Sequence, residues 1–248
     1  MSMIPKIIHY CWFGRNPLPK SAKKCIASWK KYLPDYEIKE WNEDNFNIDM
    51  LPYTRDAYDA KKYAFVSDYA RFWVLYKYGG VYFDTDVEAV KSMDDIIEKG
   101  AFMGWETANE NGTPKIAPGL GLATPAGHPL YKEILDKYQD LSFYKPDGSF
   151  NNYTMIPLVT DLLVGHGLKI DGTFQVISDT HIYPSDYFCP MNSITGIVTL
   201  TENTRTIHWY SMSWVDKKTQ RNHKIAMMLR RFLGDSFVSV IKRLFKKA

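Results

Sequence analysis

Cysteine is scarce: 3 in 248 residues, Cys11, Cys25 and Cys189, with no C-x-x-C spacing. That excludes a disulfide framework and a cysteine-built zinc site, and it fits a reducing cytosol. No apolar run approaches the roughly 20 residues needed to cross a bilayer. Met1 to Lys6 lacks the charged-then-apolar start of a signal peptide. The expectation is a body that is neither secreted nor membrane-spanning. With 15 Gly and 13 Pro, the chain has too little of either for a collagen-like or low-complexity sequence. Internal repeats are absent, and so is any linker long enough to split the body. What remains, 45% hydrophobic and 24% charged, is an ordinary globular composition able to bury a sizeable core.

Net charge is also low, +3, but unevenly spread. Residues 221–248 hold eight of the 31 Lys/Arg and one of the 28 acids, Asp235, leaving 23 basic and 27 acidic side chains for the rest. A mildly acidic body argues against nucleic acid as a partner. The division expected is a body over residues 1–220 and a cationic tail over 221–248.

Lys6 to Cys11 is short, apolar and β-rich, as expected of a buried first strand. A helix follows over Ser21–Tyr32, stopped before Pro34, and Glu37–Trp41 alternates as a second strand. Ala60–Tyr78 has a long helical pattern ending at Gly79-Gly80. Val81-Tyr82-Phe83 reads as a core strand, Ser92 and Asp95 as the start of a short helix, and Ala101–Trp105 as a strand. Glu106–Pro118 reads as a polar loop and Leu120–Thr124 as a strand. Helices are expected near His128–Tyr138 and Met155–Val164, with irregular or β structure over Ile170–His208. Strands alternating with helices predict an α/β sandwich around a mostly parallel central sheet.

Asp84 and Asp86 close the third of these strands. Acids at a strand's carboxyl end lie where open α/β sheets bind ligands. A turn there lets both face one cation, and hard oxygen donors suit Mn²⁺ or Mg²⁺, which in turn can hold a diphosphate. An isolated D-x-D pair more often marks a solvated strand end. Asp68 and Arg71, three apart, share the face of the preceding helix; the plainer reading is a surface ion pair. Trp12 ends the first strand, placed either to stack on a base or to fill the core.

Together, Ile4–Gly14, Ser67–Arg71 and Gly79–Asp86 resemble the pattern of glycosyltransferase family 32. That family includes bacterial capsular-polysaccharide sugar transferases and yeast α-mannosyltransferases of the initiating outer-chain type. Its donor site is similar to that of the clostridial glucosylating toxins. A looser match continues through Ala126–Pro129, Thr154–Pro157 and Ile207–Trp214. The resemblance implies a GT-A fold using a divalent metal and a nucleotide-sugar donor. It implies that Trp12 stacks on the base beside Cys11, and that Asp68 and Arg71 reach the donor sugar and phosphates. Tyr82 would touch the phosphate or ribose region, and Asp84 the ribose and the metal shell. Asp86 would bind the metal directly, with His208 as third protein ligand, and Ser213 and Trp214 would close over the diphosphate. The pattern often carries an Asn before the strand at Leu120–Thr124; here Gly119-Leu120-Gly121 stands, with Asn151 or Asn152 as alternatives.

The resemblance implies transfer of a hexose with retention of configuration, in capsular or surface polysaccharide synthesis. Asp84, Asp86 and Arg71 form its catalytic group. A UDP-hexose is favoured as donor, with GDP-mannose open, and the acceptor is a glycan, expected to be lipid-linked. Competing readings are a metal-dependent phosphotransferase or hydrolase built on Asp84 and Asp86, and an inactive membrane-associated binding protein. In the tail, Phe237, Val240, Ile241, Leu244 and Phe245 form one helical stripe opposite Lys242, Arg243, Lys246 and Lys247. Ile225, Met228, Leu229 and Phe232 repeat the arrangement before Gly234. The Ile225–Phe232 stripe suits packing on the body as well as on a membrane, whereas the last helix suits an anionic membrane surface, which predicts a peripheral protein on the inner face of the cytoplasmic membrane.

Overall fold

A computed structural model of the chain describes residues 3–106, 112–151, 153–211, 215 and 217–233. Strand β1 (Ile7–Cys11) pairs in parallel with β2 (Glu37–Trp41) on one side and β3 (Gly80–Tyr82) on the other. Next to β3 lies β7 (Leu122–Thr124), which runs against β3 and against its other neighbour, β5 (Phe102–Glu106). Then come β9 (Thr180–Tyr183), parallel to β5, and β8 (Gln175–Ile177), antiparallel to β9. The short β6 (Lys115–Ile116) hangs on the end of β5. The direction shared by β2, β1, β3, β5 and β9 makes the sheet mostly parallel, as expected from the alternation of strands and helices. A separate ladder joins β4 (Val87–Ala89) to β10 (Thr206–His208).

Side chains alternate across the pleat, so each strand feeds two cores. On one face Cys11, Tyr82, Leu122, Met103 and Trp105 meet α3 (Tyr63–Tyr78), α5 (Pro129–Gln139) and α6 (Met155–Gly165). On the other, Ile8, Tyr10, Val81, Ala123 and Phe102 meet Trp29 of α1 (Lys20–Tyr32) and Phe188 of α7 (Ser185–Phe188). Full burial of a large apolar side chain contributes about 1.5–3 kcal/mol. Trp29 has no exposure and also donates its indole N–H to the Val87 carbonyl at 2.7 Å, which pins α1 to β4. Helix α4 (Asp94–Ile97) is the short helix expected at Ser92, whose hydroxyl accepts from the Asp94 N–H.

Two differences from the sequence pattern have local causes. The helix expected from Ala60 starts at Tyr63, because a separate helix, α2 (Pro52–Asp59), ends just before it. Lys61 takes φ 58° there, while the Lys62 N–H closes on the Ala57 carbonyl. That closure usually employs glycine, so a lysine gave no stop signal. Strand β5 also extends one residue beyond the expected end, to Glu106. Helix α8 (Lys217–Leu233) crosses the division drawn at residue 220. Its Met227 reaches Gly196 of the body, whereas Ile225 and Met228 stay 45% and 55% exposed. No helix among the described residues is long and apolar enough to cross a membrane. The amphipathic stripe from Phe237 onward lies outside the described residues.

Candidate active site

Helix α3 runs into β3 through Gly79, whose φ of 65° suits a glycine and whose N–H closes on the Leu75 carbonyl. Beyond Tyr82 the chain leaves the sheet. The Asp84 N–H bonds the Gly119 carbonyl, and the Val87 N–H bonds the Asp84 carbonyl, closing a tight turn that carries both acids. The β4–β10 ladder brings in His208 from more than a hundred residues away, opposite Val87. Its Nε2 lies 3.2 Å from the Asp86 carboxylate, and the Ser211 N–H donates to that carboxylate at 2.8 Å. One ligand atom each from Asp84, Asp86 and His208 lie within 4.8 Å of one another. Two hard oxygens and one imidazole nitrogen, converging at partly exposed positions, fit Mn²⁺ or Mg²⁺.

The electrostatics agree with that fit. Burial opposes charge on Asp86, yet His208 and Ser211 outweigh it and hold the carboxyl well below the usual carboxylate range. Burial likewise opposes charge on His208, but the Asp86 contact lifts its pKa well above the ordinary value. Asp84 is raised by burial, with Arg71 opposing the rise.

Behind the acids, Arg71 bridges Asp68 at 2.9 Å and Asp84 at 3.2 Å. The plainer surface-ion-pair reading fails here, since the Arg71 side chain is only 3% exposed. Its guanidinium lies over the Tyr82 ring, whose hydroxyl donates to Asp84 at 3.1 Å. Desolvation pushes Asp68 up to about 7, with Arg71 opposing the rise and the neighbouring Asp84 charge adding to it. Cys11 lies in this network, its thiol pushed up to about 12 by burial. Asp68, Arg71, Tyr82 and Cys11 therefore form a buried support beneath Asp84 rather than an open surface. A buried, hydrogen-bonded charge cluster of this kind fixes the orientation of the group it holds.

Gly119 explains the departure noted in the sequence. A Cβ there would overlap the Asp84 carboxylate and approach Arg71 Nη1 to 3.2 Å. Asn151 is occupied in its own turn, bonding the Ser142 carbonyl and the Tyr153 N–H. Asn152, Ser213 and Trp214 lie outside the described residues. Trp12, at the end of β1, is only partly buried, and its indole N–H is held by the Asn16 carbonyl at 2.6 Å. It packs against the apolar core. The Ser211 N–H gave no signal in the sequence as a partner of Asp86, because a backbone group leaves no side-chain pattern.

Residues 19–103 match the family described as a glycosyltransferase sugar-binding region containing a DXD motif. Asp84-Thr85-Asp86, a D-x-D, lies within the matched span, which takes in about a third of the chain. Among curated relatives, inositol phosphoceramide mannosyltransferase 3 of Schizosaccharomyces pombe is 28% identical over 56% of this chain and 38% of its own length. A mannosyl phosphorylinositol ceramide synthase of Saccharomyces cerevisiae is 23% identical over 95% of this chain and 61% of its own. The chain thus spans between about a third and three fifths of the length of curated relatives it matches. Two solved glycosyltransferases share the fold. PaToxG superposes with a TM-score of 0.51 at 21% identity, covering 65% of this chain and 69% of that one. An enzyme involved in glycosylation of the major capsid of PBCV-1 gives 0.51 at 10% identity, covering 88% and 98%. The sandwich around the DXD region is of GT-A type.

Proposed function

We propose that the chain is a metal-dependent glycosyltransferase that moves a hexose from a nucleotide sugar to a lipid-linked acceptor with retention of configuration. The observation that carries this reading is the convergence of Asp84, Asp86 and His208 at the carboxyl edge of the DXD sheet. Trp12 would cover the base at the β1 end of that edge. A divalent cation held by the three ligands would supply charge neutralisation for the departing diphosphate. Asp84 is pre-aimed by Arg71 and Tyr82, so its oxygen need not reorganise during the reaction. No carboxylate has been assigned as a covalent nucleophile, so attack on the same face as departure is favoured, the leaving phosphate taking the acceptor's proton. Arg71, held between Asp68 and Asp84, would reach the donor sugar and phosphates from that position.

The donor is a UDP-hexose or GDP-mannose, and the relatives' printed names weigh for mannose. Those names also contain a ceramide, which supports a lipid-linked acceptor. A role in capsular or surface polysaccharide synthesis remains part of the proposal. So does docking on an anionic membrane through residues 221–248, for which the exposed Ile225 and Met228 of α8 add support.

The test is incubation with Mn²⁺ and UDP-glucose, UDP-galactose, GDP-mannose or a phosphomonoester. Slow release of free sugar from one nucleotide sugar, with the anomer read by NMR, is expected. Phosphate release from the phosphomonoester instead would establish the hydrolase alternative. Donor binding with no turnover would leave a binding protein, and an inverted anomer would refute same-face attack.

A further inference from the structure

Glu106 lies at the same edge of the sheet as the acid pair, by register. Val81 of β3 and Phe102 of β5 both pair with Ala123 of β7, so they stand level across the sheet. Strands β3 and β5 run in the same direction. Glu106 closes β5 and the acid turn follows β3, so both lie at the carboxyl edge, on strands two spacings, roughly 10 Å, apart.

The face is also defined. Two residues before Glu106, a Cβ at Gly104 would come within 2.6 Å of the Phe188 ring, so that side of β5 looks toward α7. The Phe188 carbonyl in turn accepts from the Thr206 hydroxyl of β10, the strand carrying His208. Alternation puts Glu106 on this same side, and its carboxyl is felt electrostatically by His208. Lys115 stands opposite it in the β5–β6 pair. Burial raises the pKa of Glu106, with His208 and Lys115 opposing the rise.

Along the carboxyl edge the order is therefore Trp12 at β1, the metal-ligand cluster after β3, and Glu106 at β5. A nucleotide sugar laid along that edge, base on Trp12 and diphosphate on the acids, carries its sugar onward to β5. We propose that Glu106 accepts hydrogen bonds from hydroxyls of the transferred sugar and so determines which hexose the site takes. This rests on the glycosyl-transfer reading above. A carboxylate accepts from two neighbouring hydroxyls at once, and a site built to hold a hydroxyl rejects sugars that present it differently. The charge-assisted bond is strong enough for the effect to be measurable.

The experiment measures binding of UDP, GDP, UDP-glucose, UDP-galactose and GDP-mannose, each with Mn²⁺, to the full chain and to Glu106→Gln and Glu106→Ala. The ratio of affinities for the preferred nucleotide sugar and its bare diphosphate isolates the sugar contact. That ratio is expected to fall about tenfold in Glu106→Ala, with the bare diphosphate unchanged and preference among the sugars narrowed. The near-isosteric Glu106→Gln keeps the test valid if the alanine variant does not fold. An unchanged ratio in a folded variant overturns the assignment, and so does an equal loss for sugar nucleotide and bare diphosphate. A wild-type protein that binds none of the five ligands overturns the glycosyl-transfer reading itself.

Discussion

Replacing Gly119 by alanine adds one methyl group at the most crowded point behind the acid pair. The new Cβ would overlap Asp84 Oδ2 and come within 3.0 Å of its Cγ. Asp84 is a short side chain with little room to yield, held by Arg71 at 3.2 Å and by Tyr82 at 3.1 Å. It must therefore turn away. Breaking a fully buried pair costs about 3–5 kcal/mol. Arg71 keeps Asp68, however, and Asp84 can rehydrate because its side chain is 28% exposed. The expected loss is thus nearer that of one charge-assisted hydrogen bond, about 1.5–3 kcal/mol. Urea unfolding measures it, and Mn²⁺ titration followed by electron paramagnetic resonance should show weakened binding in the same variant. Gly165→Ala in α6 is the control, since nothing lies within 4 Å of a Cβ there and its φ is not positive. Helix propensity makes that change neutral or stabilising by up to about 1 kcal/mol. A Gly119→Ala protein within about 0.5 kcal/mol of wild type, with unchanged Mn²⁺ affinity, would refute the packing argument.

Trp12→Ala should weaken binding of the preferred nucleoside diphosphate by about 1–2 kcal/mol if the ring stacks on the base; unchanged affinity would assign Trp12 to the core alone. Mn²⁺ affinity should fall with pH, because His208, whose pKa is raised, must lose its proton before Nε2 can ligate. Below the pKa of the folded protein the loss should be about tenfold per pH unit, and His208→Ala should bind Mn²⁺ more weakly with a shallower slope; equal slopes would remove His208 from the ligand set. Deleting residues 236–248 should leave donor hydrolysis intact while abolishing sedimentation with phosphatidylserine vesicles, which in the full chain should weaken with salt. A truncated protein that still sediments would refute the anchor.

Strand and helix periodicity made the sandwich legible from β1 to α6, because apolar alternation and glycine stops coincide there. The break between α2 and α3 was not legible, since Lys61 takes a left-handed conformation that sequence patterns assign to glycine. Asp84 and Asp86 were readable as a pair at a strand end. Burial of the Asp68–Arg71 support was not, because spacing on a helix face says nothing about what covers that face. His208 could be named from its motif, but only the β4–β10 ladder shows how it reaches Asp86. Glu106 was read as the start of a loop because the masking of strand ends by polar residues is a general weakness of periodicity.

The central claim is that Asp86 anchors a cation used in cleaving a nucleotide sugar. Its most direct test compares wild type with Asp86→Ala in Mn²⁺-dependent hydrolysis of the donor preferred in the panel, with folding checked by circular dichroism. The account predicts sugar release by the wild type that EDTA abolishes and Mn²⁺ restores, and none by a folded Asp86→Ala protein at any Mn²⁺ concentration. Wild-type rates in that folded variant, or hydrolysis indifferent to EDTA, would contradict it.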